Sequence, residues 1–174
     1  MNKNNKISGL QLNPEHLVLR KIERTDNAQV EQMIVNVMSD YECIGEEYSS
    51  SDPELKDMYT SYNNPGSVFY VIEYKGNILG CGGLAPLEGG ASDTCELRKM
   101  YFYQSLRGLG FGRKLMDICL NDARLFGYRI MYLETVERME KANRLYAFYG
   151  FEPLEGQVGN TGHSGCDTFY RKEL

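Results

Sequence analysis

The sequence predicts a mixed α/β fold in which one sheet, largely antiparallel, is flanked by helices. Three observations carry this prediction. Apolar residues recur at helical spacing in three separate segments. Runs rich in β-branched and aromatic residues lie between them, and the central runs are joined by connections short enough for hairpins, which pair strands antiparallel. With 174 residues, 42% of them hydrophobic, the chain has the size and balance of one domain with its own core.

The elements follow in chain order. Residues 1–16 read as a polar, Asn-rich, flexible leader, and 17–174 as the domain. LVLRKI (17–22) is the first strand. Asp26 and Gln29 stand at capping-box spacing, and Val30, Met33, Ile34, Val37 and Met38 then form one apolar helical stripe. Residues 41–66 are polar and Tyr-rich, broken by Pro53 and Pro65, with room for a short helix over 53–62; a substrate lid and a plain solvated connection fit equally. SVFYVIEY (67–74) and ILGCGGLAPL (78–87) flank a Lys75-Gly76-Asn77 turn and read as a hairpin.

DTCELRKMYFY (93–103) continues the sheet, and strict alternation places Glu96, Arg98, Met100 and Phe102 on one side, with Cys95, Leu97, Lys99 and Tyr101 on the other. A long helix begins at the glycines of 108–112, with Leu115, Met116, Cys119, Ala123 and Phe126 on its stripe and Gly127 at its end. RIMYLET (129–135) is a strand, and 138–149 a helix closed by Gly150. FEPL (151–154) and CDTFYRKEL (166–174) complete the sheet.

Composition excludes several functions. A net charge of −5 leaves no basic footprint for phosphate backbones, so no nucleic-acid partner is expected. No run has the length or apolarity of a membrane span or a signal peptide, which points to a cytoplasmic protein without a membrane partner. Five scattered cysteines, an odd number with no CxxC pair, suit reduced thiols. His163 and Cys166 alone have ligand-like spacing, and zinc needs three or four protein ligands, so no metal is expected.

The stretch Arg107-Gly108-Leu109-Gly110-Phe111-Gly112-Arg113 lies between a strand and a helix. Glycines there expose successive N–H groups at the positive end of a helix, which attracts phosphate; the alternative is a tight turn that only packs strand on helix. A Walker loop would need Gly-Lys-Ser/Thr, and a dinucleotide fingerprint would need glycine where Arg113 stands.

The pattern that fits is R/Q-x-x-G-x-G/A, met by Arg107, Gly110 and Gly112, and here the chain resembles the GNAT (GCN5-related) N-acetyltransferase superfamily, in which this motif holds the pyrophosphate of acetyl-CoA. A second signature, A-x-x-LY-x-x-x-GF, is met by Ala142, Leu145, Tyr146, Gly150 and Phe151. The run CELRKMYF, RGLGFGRKLM, YLET, LYAFYGF and TGHSGCD is similar to a bacterial branch acting on small molecules or amino acids.

The resemblance implies that the strands ending near Phe102 and Thr135 splay apart around the pantetheine arm, with the backbone of Met100, Tyr101 and Phe102 pairing with it and Asn143 as a further cofactor contact. It also implies acetyl transfer directly to a primary amine, with Tyr146 as the acid for the leaving thiolate. Tyr146 also reads as a core residue on its helix stripe. Glu96 and Glu134 are candidates for the base, and each also reads as a binder of the substrate ammonium or, for Glu96, as a partner of Arg98. Met139 stands where many members carry Asn, so that contact does not carry over. His163 is a candidate for the acceptor pocket, with an exposed loop histidine as the plain reading. Two other readings compete: a non-catalytic acyl-CoA-binding module, and an enzyme whose acceptor is a protein lysine or N-terminus. Homodimer formation is left open.

Overall fold

The computed structural model describes residues 12–174, so residues 1–11 of the expected leader lie outside it. Leu12 is already buried in the core, and Pro14–His16 form a single 3₁₀ turn capped by Asn13. Seven strands follow in one sheet of order β1-β2-β3-β4-β5-β7-β6: β1 (Leu17–Lys21), β2 (Val68–Tyr74), β3 (Asn77–Pro86), β4 (Thr94–Phe102), β5 (Ile130–Thr135), β6 (Glu152–Leu154) and β7 (Thr168–Glu173). Every neighbouring pair is antiparallel except β4 and β5. The β2–β3 hairpin turns at Lys75 and Gly76, both at positive φ, as a two-residue turn matched to strand twist requires.

Helices cover both faces. α1 (Asn27–Asp40) and α2 (Met58–Tyr62) bury Val30, Met33, Ile34 and Met58 against Phe69, Val71 and Cys81 on one side. α3 (Phe111–Leu125) and α4 (Glu140–Phe148) bury Leu115, Met116, Cys119 and Tyr146 against Ile72, Leu84, Leu97 and Leu133 on the other. The helical stripe expected of α1 is the one that is buried. Its cap differs: Asp26 pairs reciprocally with Glu23 across a 3₁₀ turn and is held by Arg20 at 2.7 Å, while Gln29 bonds Gly76 and Ile78 of the hairpin. A tertiary partner was available for Gln29, and it outcompetes a local cap.

Two irregularities prepare the site. β4 and β5 pair only over Thr94–Glu96 and Ile130–Tyr132, and beyond Glu96 they separate. β4 also carries a bulge at Lys99, which has φ +52, so that between Arg98 and Tyr101 two residues of β4, Lys99 and Met100, oppose Gly82 alone on β3. The bulge overturns the strict alternation expected for this strand. Cys95 and Leu97 face α3, but so do Met100 and Phe102, whereas Tyr101 packs on the α1 side. Lys99 lies between Asp52 and Glu54 of the segment before α2, beside Arg98.

Candidate active site

The opening between β4 and β5 holds two cavities that share a wall. A groove of about 460 Å³ runs from the glycine loop past Met100, Tyr101, Phe102 and Leu145 to Tyr146. A smaller cavity of about 50 Å³ lies beyond, lined by Glu96, Lys99, Glu134, His163 and Cys166 among others. Both are bounded by Met100, Tyr101, Met139 and Tyr146.

The groove's far end is built from backbone. Gly108 and Gly110 sit at φ +84 and +82, and a Cβ on either would meet no atom within 4 Å. Gly110 caps α3, whose first internal hydrogen bond is Lys114 N–H to the Gly110 carbonyl at 3.1 Å. The N–H groups of Phe111, Gly112 and Arg113 therefore have no partner within the helix, and they end where the dipole is positive. Open space, free donors and the flanking Arg113 fit a pyrophosphate. Arg107 also borders the groove; its Nε donates to the Phe102 carbonyl at 3.0 Å and its guanidinium to the Tyr41 hydroxyl at 3.1 Å.

Not all of the loop faces the groove. Phe111 is buried in the core beneath α3, and Leu109 is exposed outside the groove lining. Asn143 is not brought in either. Its amide donates to the carbonyls of Val136, Glu137 and Met139 at 3.0–3.3 Å and fastens the turn between β5 and α4. It lines a separate surface depression with Glu137 and Asp167.

Tyr146 stands at the junction of the two cavities. Its ring is wedged edge-on to Phe151 and tilted against Tyr170, both at 5.9 Å, and burial pushes its phenol well above the usual tyrosine range. The phenol is thus protonated at neutral pH, and its hydroxyl has no hydrogen-bond partner among the described residues. A protonated phenol bordering both cavities has a proton to give once an acceptor arrives.

The small cavity is walled by charge. Glu96 is buried, with its carboxylate bonded to Arg98 Nε at 2.6 Å; burial raises its pKa despite that partner. Glu134 Oε1 accepts from Thr161 at 2.8 Å, Tyr132 at 2.9 Å and Gln157 at 3.1 Å, which ties the end of β5 to the loop before β7. His163, on that loop, places Nε2 3.0 Å from Asp52 and Nδ1 3.8 Å from Glu134. Asp52 also receives Lys99, and although burial works the other way, the hydrogen bond from His163 and the charge of Lys99 hold its carboxyl down at about 2. Glu96 and Glu134 line the cavity with Arg98 and Lys99, and Asp52 and Glu54 stand behind these two cations and pair with them, so the electrostatics favour an incoming cation.

The three side chains expected from sequence to touch the acceptor, Glu96, Glu134 and His163, meet in this one cavity with Tyr146. Sequence reasoning missed Asp52 and Lys99. Asp52 lies in the 41–66 segment, where its only signal is its place just before Pro53, and Lys99 reaches the site through a bulge that alternation does not foretell. Among the described residues no group of His, Cys, Asp and Glu is arranged to hold a metal, and no helix is long and apolar enough to cross a membrane.

Comparison with known proteins meets this geometry. A model of the acetyltransferase (GNAT) family matches residues 31–151. The chain is 38% identical over 162 residues to the uncharacterized N-acetyltransferase YjgM of Escherichia coli, covering 92% of this chain and 97% of that protein. Among solved structures it is similar to a GNAT-family acetyltransferase from Staphylococcus aureus, with a TM-score of 0.80, 21% identity, and 91% and 99% of the two chains covered. It is also similar to yncA of Salmonella typhimurium, solved with its cofactor acetyl-CoA, at a TM-score of 0.70, 19% identity, and 91% and 94% covered. This chain therefore belongs to the GNAT family of N-acetyltransferases, acyltransferases that take their acetyl group from acetyl-CoA.

Proposed function

We propose that the protein transfers the acetyl group of acetyl-CoA to a primary amine of a small molecule, an amino acid or another small amine. The observation that carries this reading is the shared wall. The groove leading from the glycine loop and the acid-lined cavity meet at Tyr146, so a thioester in the first lies beside an amine in the second.

Acetyl-CoA supplies an activated carbonyl on a thiol leaving group; the chain supplies positions and protons. The N–H groups at the start of α3 hold the phosphates, and the stretch of β4 from Met100 to Phe102, where β4 has parted from β5, lies along the groove for the pantetheine arm. Glu96 and Glu134 hold the acceptor as its ammonium, and Tyr146 donates its proton to the departing sulfur. The small volume of the cavity, about 50 Å³, and its roofing by the 41–66 segment favour a small acceptor over a folded protein.

The test is a panel of free amino acids, polyamines, aminoglycosides and peptides incubated with acetyl-CoA, read by thiol release and product mass. Acetylation of small amines is expected. Acetylation of peptides or proteins alone would move the acceptor to another class, and acetyl-CoA binding without turnover of any amine would favour a binding module.

A further inference from the structure

We propose that His163, oriented by Asp52, is the base that takes the acceptor's proton. This rests on the acetyl-transfer reading above and adds to it a residue pair that the two carboxylate candidates had obscured.

A base for this reaction has two tasks. It must accept a proton from an ammonium, and it must pass that proton to water once per turnover. Glu96 and Glu134 are poorly placed for the second, since their side chains are only 5% and 2% exposed. Each is also occupied: Glu96 by Arg98 at 2.6 Å, and Glu134 by the hydroxyls of Thr161 and Tyr132 and the amide of Gln157. The oxygens of both carboxylates are thus already engaged by protein donors. They leave both residues suited to hold a cation.

His163 meets both tasks. Its side chain is 15% exposed, so one edge reaches solvent while the ring lines the cavity. Both oxygens of Asp52 lie within 3.1 Å of Nε2, and a carboxylate can only accept, so Nε2 carries the hydrogen. That fixes the tautomer and leaves Nδ1, which faces Glu134 across 3.8 Å, as the nitrogen open to a proton. Asp52 is itself held in place by Lys99, whose position is set by the bulge in β4. With Lys99, the pair ties together three segments: the stretch before α2, the bulged strand and the loop before β7.

The protons balance. Nδ1 of His163 takes one proton from the acceptor ammonium and releases it to water. The freed amine forms the C–N bond to the thioester carbonyl as the C–S bond breaks, and the sulfur receives the proton of Tyr146. The nitrogen then surrenders its second excess proton, which restores the Tyr146 hydroxyl, leaving an amide, a free thiol and one proton in solution.

The groups facing His163 are Asp52 from the segment before α2, Glu96 and Lys99 from β4, and Glu134 from β5. Burial opposes the imidazolium, but the bond to Asp52 outweighs it and the His163 pKa lies above the ordinary histidine value. In the wild-type enzyme kcat/KM should accordingly rise with pH through a limb somewhat above the ordinary histidine range, far below the limb of the acceptor amine itself at roughly pH 10.

The experiment is the pH profile of acetyl transfer to the amine selected by the panel, for wild type, His163→Gln and Asp52→Asn, with acetyl-CoA affinity measured in parallel by calorimetry to confirm folded protein. His163→Gln should lose the lower limb and about 10²-fold in kcat with acetyl-CoA affinity unchanged. Asp52→Asn keeps a hydrogen-bonding partner but not the charge, so the limb should move to lower pH. A limb that stays in place in both variants overturns the proposal while leaving acetyl transfer intact. A panel in which wild type acetylates no amine overturns the acetyl-transfer reading and this role with it.

Discussion

The groove at the glycine loop and the charge-lined cavity share a wall but are built in opposite ways. The groove's glycine end is made of backbone, from glycines at positive φ and N–H groups without a partner inside the helix that follows, all within a run of seven residues. The cavity is lined by side chains from places far apart in sequence, at Glu96 to Lys99, Glu134 and His163, with Asp52 from a fourth place behind Lys99 and His163. A site made of backbone needs a particular local chain shape, which only certain residue types permit. A site made of side chains needs only that the fold bring them together. The first should fail when the backbone or its charge is altered, the second when a charge is removed.

The largest effect is expected where a charge enters the backbone site. Gly110→Asp sets a carboxylate beside the phosphates; two like charges about 4 Å apart at an effective dielectric of 20 repel by roughly 4 kcal/mol, so acetyl-CoA affinity should fall on the order of 10³-fold. Gly110→Asn has nearly the same shape and a tolerated left-handed conformation, and should lose much less. Calorimetry of both variants separates charge from shape, and equal losses would show that the site is defined by its turn alone.

Next in size is Tyr146, which belongs to both regions. Tyr146→Phe keeps the packing against Phe151 and Tyr170 and removes the proton, so kcat should fall by about 10²-fold with acetyl-CoA affinity little changed. Single-turnover measurement checks that the loss lies in chemistry. An unchanged rate would assign the proton to water.

On the acceptor side the effect is on stability. The Asp52 carboxyl titrates near 2 in the folded protein against an ordinary 3.8, so it contributes about 2 kcal/mol above the unfolded value, lost as pH falls from about 5 toward 2. Asp52→Asn should therefore be less stable than wild type at pH 7, with the two converging near pH 2. Denaturant melts at the two pH values measure this, and a gap that persists in acid would mean that the charge contributes nothing. The smallest effect belongs to Asn143, whose amide fastens a turn outside the groove. Asn143→Ala should cost about 1 kcal/mol of stability and leave acetyl-CoA affinity within error; a tenfold loss of affinity would return Asn143 to the cofactor site.

The same contrast explains what could be read from the sequence. The sheet and its helices were legible because apolar periodicity reports burial, and the stripe of α1 and the hairpin at Lys75 and Gly76 follow it. The glycine loop was legible because the types and spacing of its residues are themselves the physical requirement. Glu96, Glu134 and His163 came into view through the family resemblance and their positions at strand and loop ends. Asp52 did not, since a surface-type aspartate before a proline reads as an ordinary turn. The cap of α1 was misassigned for a related reason, because Gln29 had a partner 49 residues away.

The bulge at Lys99 also has a consequence for how this sequence can change over time. Thr94 to Leu97 keep one phase with β3, and Met100 to Phe102 keep the other, so the odd residue between them acts as a hinge in the code of the strand. Deleting one residue there would remove the bulge and restore plain alternation, leaving Met100 and Tyr101 on the faces they now hold but taking away the position from which Lys99 reaches Asp52 and Glu54. In a lineage of such proteins, single-residue insertions and deletions at this point would be far rarer than substitutions, and a gap placed there in an alignment should be treated as a change of chemistry and not of length.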